Sequence, residues 1–391
     1  MSDHTPLLPR PVAKGFTLIE LMVGLALGLI TTLIVAQVMI NASENQRTTT
    51  QGTDAQINGA SAVYMLSRDL QAAGYGVISK AADLGCPIRA VQPSGQALDL
   101  TLAPVLIGVD GNGNATIRTL SSGKASFSAA ARLQTQYSVG QPSMVVPSTL
   151  GIVAGDLLVV APDVWDASNW CALMQANTNG TNNLTSSLVP VVAGGWTPDV
   201  ASNQQGSSGK LWMPTIAPSY KVNSTLINLG QIPDVREYRV QNNNLETRRM
   251  GANGVWDNWA TLAPGVVRLV ALYGMDMSTP EDSQVDTYTS TPPSSSGDWA
   301  RVKTMKLVVI TRSAQREKQA VTLAQPVIDM GESSLQIQGG VACAEDPDRR
   351  CLTLSLGALP SGVNATPAEW QHYRYKVFDT VVPLRNHLWR P

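Results

Sequence analysis

A nearly unbroken apolar run, residues 16–40 (FTLIELMVGLALGLITTLIVAQVMI), constrains this chain more than any other feature. Coiled at about 1.5 Å per residue, a run of that length crosses the roughly 30 Å hydrocarbon core of a bilayer. Arg10 and Lys14 precede it, so the positive-inside bias keeps the N-terminus cytoplasmic and exports the remainder of the chain. A cleaved signal peptide would place small residues just after the run. The chain there reads Ile40-Asn41-Ala42-Ser43, a poor match, and the better processing site lies before the run, at Gly15.

One acid, Glu20, sits inside the span. A carboxylate at mid-bilayer costs about 2.5–3.5 kcal/mol, less near an interface. Glu20 can snorkel to the headgroups, or it can meet a cation. Cleavage behind Gly15 would free the amine of Phe16 in the same membrane zone, and a neighbouring subunit's amine could then pair with this carboxylate. The Gly15-Phe16 junction favours pairing. Gly24 and Gly28 form a G-x-x-x-G that permits close helix approach, a weak signal in a membrane helix.

No proline occurs between Pro11 and Pro87, so the helix can continue past the membrane. Ile57, Ala60, Val63, Tyr64, Leu66, Leu70 and Ala73 recur at three- and four-residue spacings, which predicts an apolar stripe packed on a globular body. Gly74-Tyr75-Gly76 ends it. Thr48-Thr49-Thr50-Gln51-Gly52 is a weak helix stretch between the halves. The expected fold is α+β: a long N-terminal helix, transmembrane then amphipathic, against a large β-rich head. The boundaries are a leader at 1–15, the membrane half at 16–40, the amphipathic half at 41–75 and the head at 76–391. The head reads as one elaborated body or two lobes splitting near residue 230.

Strand signals fill that head. Asp156–Ala161 is a short apolar run. Val235–Gln241 and Leu245–Met250 flank Asn242-Asn243-Asn244, a hairpin signal. Val266–Tyr273 and Val302–Thr311 are rich in Val, Ile and Leu. Polar tracts near 177–187, 201–209 and 278–298 read as loops. Lys and Arg number 28 against 29 acids, a net charge of −1, which argues against a nucleic-acid surface built on bulk charge. Cys86, Cys171, Cys343 and Cys351 are even in number and lie beyond an export segment, so two disulfides in an oxidising compartment are expected. Three pairings are open. A Cys343–Cys351 bridge would pin a short loop, and Cys86–Cys171 would then close a long one.

The stretch Gly15-Phe16-Thr17-Leu18-Ile19-Glu20-Leu21 resembles the class III signal of type IV pilins and type II secretion pseudopilins. That resemblance implies cleavage after Gly15 by a prepilin peptidase, N-methylation of Phe16, and an assembly role for Glu20 as the acid at the fifth mature position. Three further stretches resemble the PilW family of minor pilins. They are Arg68–Tyr75 (RDLQAAGY), a central segment (Tyr273-Gly274-Met275-Asp276, Val285-Asp286-Thr287-Tyr288, Trp299-Ala300-Arg301-Val302), and the terminal run Tyr373–Asn386 (YRYKVFDTVVPLRN). Cys86 departs from that pattern, since relatives often place a cysteine directly after the helix-end Gly-Tyr. The region from about 90 to 230 carries no such likeness.

The family implies an interaction protein: a minor pilin that primes pilus assembly with other minor pilins and the major pilin, on an inner-membrane platform, and then sits near the tip, beneath an adhesin in some systems. It implies an inner-membrane location with a periplasmic head. The nearest rival is a minor pseudopilin of type II secretion. A rival from another class is a membrane-anchored periplasmic enzyme or binding protein. Chemistry for the enzyme is thin. Only His372 and His387 would survive leader cleavage, too few for a Ser-His-Asp or His-metal constellation. Gly206–Lys210 lacks the spacing of a phosphate loop. Asp110–Asn114 begins like a calcium loop but lacks its sixth-position glycine and terminal Glu. Asp276, Asp282 and Asp286 form a second acidic candidate, with a solvated loop as the plainer reading. No cofactor or metal is expected. The tryptophan pairs Trp165/Trp170 and Trp256/Trp259 read as packing anchors ahead of a sugar or partner platform. Arg374 and Arg385 read as structural ion-pair partners.

Overall fold

The computed structural model describes residues 15, 17–92, 95, 97–124, 130–166, 169–177, 186–191, 196, 218–251, 254–356 and 369–388. Phe16, His387's side chain, the tract 201–209 and the Gly206–Lys210 segment lie outside what is described, as does much of 177–187. The chain forms two compact units, Met1–Thr53 and Asp54–Pro391. One helix, Leu18–Ala72, begins in the first and ends in the second.

In the first unit the segment Leu18–Ile40 is wholly uncovered. Its hydroxyls are satisfied internally: Thr31 Oγ1 donates to Leu27 O at 2.7 Å and Thr32 Oγ1 to Gly28 O at 2.7 Å. Such back-bonding is what an apolar solvent demands of polar side chains.

In the second unit the helix buries Ala55, Gly59, Ala62, Leu66 and Leu70, with Ala73 buried just beyond its end. The expected stripe is therefore corrected. Leu66, Leu70 and Ala73 are core and Val63 packs at its margin, but Ile57 and Tyr64 are 60% and 67% exposed and Ala60 also faces outward. The helix turns its small residues inward because a strand approaches closely there. The ring of Phe378 lies where a Cβ on Gly59 would be. Gly59→Ala should therefore cost about 1–3 kcal/mol by overpacking. In a Phe378→Ala background the same change should turn neutral or stabilising, by up to about 1 kcal/mol of helix propensity. Denaturant unfolding of the four proteins of that cycle reads this out, and an equal cost in both backgrounds would refute the contact.

Three larger sheets make the body among the described residues. A six-stranded sheet runs, edge to edge, Ala97–Thr101, Pro87–Val91, Cys171–Gln175, Leu157–Ala161, Thr225–Gly230 and Ala131–Arg132. A five-stranded sheet runs Ala260–Pro264, Asn244–Arg249, Asp234–Gln241, Ala115–Ser121 and Val105–Val109. A second five-stranded sheet runs Gln336–Ile337, Thr287–Thr289, Val266–Met275, Val302–Arg312 and Tyr375–Pro383. The residues from Ala62 to Ala73 share one core with both five-stranded sheets. Leu157–Ala161 and most of Val302–Arg312 are buried on both faces, so their sequences are continuous apolar runs without alternation.

The Asn-rich hairpin turns on two residues. Gln241 pairs with Asn244, and Asn242 and Asn243 hold φ of 51° and 59°, the left-handed pair a type I′ turn needs. Near residue 230 the chain passes from the six-stranded sheet into a five-stranded one. That second sheet pairs Ala115–Ser121 directly with Asp234–Gln241, so strands from both sides of 230 share one sheet. The tract 278–298 is not all loop: it carries the strand Thr287–Thr289 and the short helix Ser296–Ala300, whose Ser295 cap accepts from Asp298 N at 3.1 Å. Cys86 bonds Cys171 and Cys343 bonds Cys351.

Candidate functional site

The helix and what holds it are the candidate site. At its start, Thr17 and Glu20 form a capping box. Thr17 N and Oγ1 both donate to Glu20 Oε2, at 2.9 and 2.8 Å, and Glu20 N donates back to Thr17 Oγ1 at 3.3 Å. This reciprocal arrangement satisfies orphan amides of the first turn. The box is written in the spacing Thr17-x-x-Glu20, a signal that the membrane span overshadows. Glu20 Oε1 has no hydrogen-bond partner among the described residues. Glu20, Gly24, Gly28 and Thr32 recur every four residues, and with Leu21, Leu25 and Leu29 they line one shallow groove along the helix. The carboxylate thus stands at the head of a furrow cut by two glycines.

At the other end, Gly74 (φ 82°) and Gly76 (φ 65°) terminate the helix, with Gly74 N donating to Leu120 O at 2.8 Å. The last carbonyls are closed from far along the chain. Asn386 Nδ2 donates to Ala72 O at 3.0 Å and Ala73 O at 3.1 Å, and Ser121 Oγ to Ala72 O at 3.3 Å. Asp69 fixes the helix to the sheet. Arg236 Nη1 and the Tyr238 hydroxyl both donate to its Oδ2, at 3.0 and 2.5 Å. Burial first, and then Asp69, push the Tyr238 hydroxyl's pKa up, so it stays a donor.

The three family-like stretches contribute to the one core that the helix shares. In Arg68–Tyr75, Asp69 docks, Leu70 and Ala73 pack, and Arg68 is exposed. In the terminal run, Phe378 covers Gly59, Val382 and Leu384 enter the shared core, and Asn386 caps. In the central segment Tyr273 accepts from Ile107 N at 2.7 Å and stacks edge-on against Trp299, ring centroids 5.5 Å apart. Arg374 pairs with Glu317 at 3.0 Å, while Arg385 is exposed and has no ion pair among the described residues.

The acidic candidate at 276–286 is a loop exposed over Thr279–Gln284, Asp282 included, and anchored at both ends by the other two carboxylates. Asp276 is fully buried, and its two oxygens accept from Ser278 N at 3.1 Å and Ser283 N at 2.7 Å. Asp286 Oδ2 accepts from Met277 N at 2.7 Å and Ser278 Oγ at 3.0 Å, and Arg301 Nη1 donates to Asp276 O and Ser278 O, each at 3.1 Å. These carboxylates staple their own chain. Asp110 does likewise: its Oδ1 accepts from Asn112 N and Asn114 N, at 2.9 and 2.8 Å, closing a turn. No group of three or more His, Cys, Asp or Glu suited to a metal occurs among the described residues.

The tryptophan pairs are packed. Trp165 Nε1 donates to Leu84 O at 2.9 Å, and Trp170 is buried. Trp256 and Trp259 interleave with guanidinium groups on the outer face of a five-stranded sheet. Arg118 lies 5.7 Å and Arg248 4.6 Å from the Trp256 ring; Arg248 lies 4.4 Å and Arg239 4.0 Å from the Trp259 ring. Glu237 accepts from Arg118 and Arg248, and Glu246 from Arg239. Each indole is engaged by two cations, which leaves it ill-suited to stack on a sugar. No sequence signal points to this ladder, because Arg118 and Glu237 stand 119 residues apart.

Comparison with known proteins agrees with this anatomy. The family model described as Type IV Pilus-assembly protein W matches residues 235–386, and that of the prokaryotic N-terminal methylation motif matches residues 10–36. No curated protein and no solved structure matches the chain. The first match takes in those strands of the two five-stranded sheets that lie from Val235 onward, and the terminal run that grips the helix. The second takes in the Gly15 junction and the Glu20 capping box. The matched family is structural rather than enzymatic. Together the two matches, one at each end of the chain, support a PilW-type minor pilin of a type IV pilus.

Proposed function

We propose that the chain waits in the inner membrane on its apolar helix, with the head in the periplasm. Prepilin peptidase cuts after Gly15, Phe16 is N-methylated, and the mature subunit joins other minor pilins to prime pilus assembly. It then stays near the tip, where a bulky head need not stack along a regular shaft. The domain divisions at 15, 40 and 75 belong to the same reading. One observation carries it: Glu20 heads a glycine furrow with one carboxylate oxygen unused among the described residues. A neighbouring pilin helix lying in that furrow would bring its amine toward Glu20 Oε1, and the pairing offsets the cost of a charge in the span. The outward Ile57 and Tyr64, on the helix within the head, offer a further apolar contact to a neighbour.

Mass spectrometry of the mature N-terminus tests the processing step. The expected species begins at methylated Phe16; intact residues 1–15, or a cut after residue 40, would sink the proposal. Two variants then separate the roles of Glu20. Glu20→Gln keeps an oxygen for the capping box but removes the charge, and Glu20→Ala removes both. Both should be processed normally, and both should lower co-purification with partner pilins about tenfold or more. Full recovery in Glu20→Gln would reduce Glu20 to a helix cap.

A further inference from the structure

One partly open pocket in the head lies apart from the Glu20 furrow and the helix contacts. Its walls come from the Asp110–Asn114 turn, the Asn242-Asn243 hairpin tip, and the strands carrying Arg268, Arg312 and Tyr375. Two guanidinium groups line it, and no carboxylate does. Val240, Val267 and Leu356 supply apolar lining, and Gln241, Asn242 and Asn243 polar lining.

Neither arginine is in a salt bridge among the described residues, although most cations of this head that lie on a sheet are. Arg268 Nη1 donates to Asn112 O at 2.7 Å, but its Nε is buried with no acceptor. Arg312 lies 4.0 Å from the Tyr373 ring and hydrogen-bonds the Tyr375 side chain, and the charge of Glu369 also acts on it. Asp110 and Glu369 act on the two arginines through charge alone, while their hydrogen bonds go elsewhere: Asp110 Oδ1 holds its own turn, and Glu369 accepts from Arg316 at 2.7 Å. Burial is the main influence on Arg268 and penalises its charge, with Asp110 partly offsetting. A buried donor without an acceptor is destabilising, the more so when it is charged. An anion in a pocket lined by both guanidiniums would offset the burial penalty on the Arg268 charge.

We propose that this pocket binds a carboxylate borne on a small apolar body. Planar forks suit a carboxylate in two-point contact. The apolar lining favours a group with a short hydrocarbon stem over a bare, strongly hydrated oxyanion. An acidic side chain of a partner subunit and a free organic acid present the same chemistry, and the experiment distinguishes them. The pocket would bind this class of group whether or not the pilin reading holds, since none of its residues belongs to the Glu20 furrow.

The test uses the full-length protein in detergent, with N-acetylglutamate amide, butyrate and inorganic phosphate as probes. Calorimetry should show saturable binding of one of the carboxylates, with phosphate at least tenfold weaker. Arg268→Gln and Arg312→Gln should each weaken binding tenfold or more, whereas Arg316→Gln, outside the pocket, should leave it unchanged. Tighter binding of N-acetylglutamate amide than of butyrate assigns the pocket to a protein side chain; the reverse assigns it to a free acid. A wild-type measurement avoids any folding defect in the variants. Phenylglyoxal should label Arg268 and Arg312 in the free protein, read by peptide mass spectrometry, and the carboxylate should protect both. Absence of saturable binding, phosphate binding as tight as carboxylate, or labelling unaffected by the probe would each overturn the proposal.

Discussion

Replacing Cys86 and Cys171 together by alanine is expected to destabilise the protein by about 4–5 kcal/mol and lower its unfolding temperature by roughly 10 °C. The bridge spans 85 residues, and in the chain-entropy account a loop that long gains most from closure. Its setting adds to the effect. Both cysteines are fully buried in one cluster with Ile88, Leu173 and Trp196, and Ile88 pairs in parallel with Cys171 beside the bridge. Parallel pairing brings together strands that no short turn connects, so the covalent link substitutes for a hairpin. The second bridge, Cys343–Cys351, closes a separation of only 8 and pins a small three-stranded sheet. Its removal should cost about half as much by the same relation. Thermal melts tracked by circular dichroism on the two double variants measure both. Equal losses would mean that loop length does not govern these bridges here.

The second large effect is a dependence on pH. Asp83 sits in the short turn Ala81–Asp83 just before Cys86, about 1% exposed, with both carboxylate oxygens lacking a hydrogen-bond partner. Burial raises its pKa to about 6, opposed mainly by Lys80, whose Nζ lies 3.7 Å away, with lesser help from Thr225 and Arg132. Lys80 is shared, since it also pairs with Asp163 at 2.6 Å. The fold therefore prefers the neutral acid. An acid whose folded pKa exceeds its unfolded value stabilises the fold below the unfolded pKa and loses that stability as pH rises. Here the loss runs from about pH 4 to about pH 6 and reaches about 2–3 kcal/mol. Asp83→Asn should melt like the parent at pH 4 and several degrees higher at pH 7.5. Parallel melting curves for the two proteins across that range would rule Asp83 out as the source.

What the sequence disclosed and what it hid have physical causes. The membrane helix, its termination at Gly74-Tyr75-Gly76 and the Asn242-Asn243 turn depend on neighbours within a few residues, so local pattern is sufficient. The phase of the amphipathic half is hidden because the inward face is built from Ala55, Gly59 and Ala62, which carry little hydrophobic weight, while Ile57 and Tyr64 carry much and point outward. Small residues mark a close approach, and only the partner, Phe378, reveals it. The pairing of residues 115–121 with 234–241 crosses residue 230, the expected divide between two lobes, because strand pairing at that separation leaves no periodic trace. At the site, Glu20 stands out by its chemistry, and its capping partner Thr17 is visible in the spacing. Asp69, Tyr238 and Asn386 are not, since each acts through a contact more than 160 residues away in the chain.

The grip of Asn386 on the helix end has a consequence in time. The helix is the first part of the head to be made, yet Asn386, which closes its final carbonyls, lies 313 residues further on from Ala73. Phe378 and Val382, which complete its packing, arrive just before. During synthesis the helix therefore waits half-housed, with Gly59 uncovered and its last turn open, until the far end of the head has been made. Its seating is then a late event that reports on the completion of the rest. A subunit whose head stalls midway would present a loose helix, and so a poor template, to the neighbours it is meant to join.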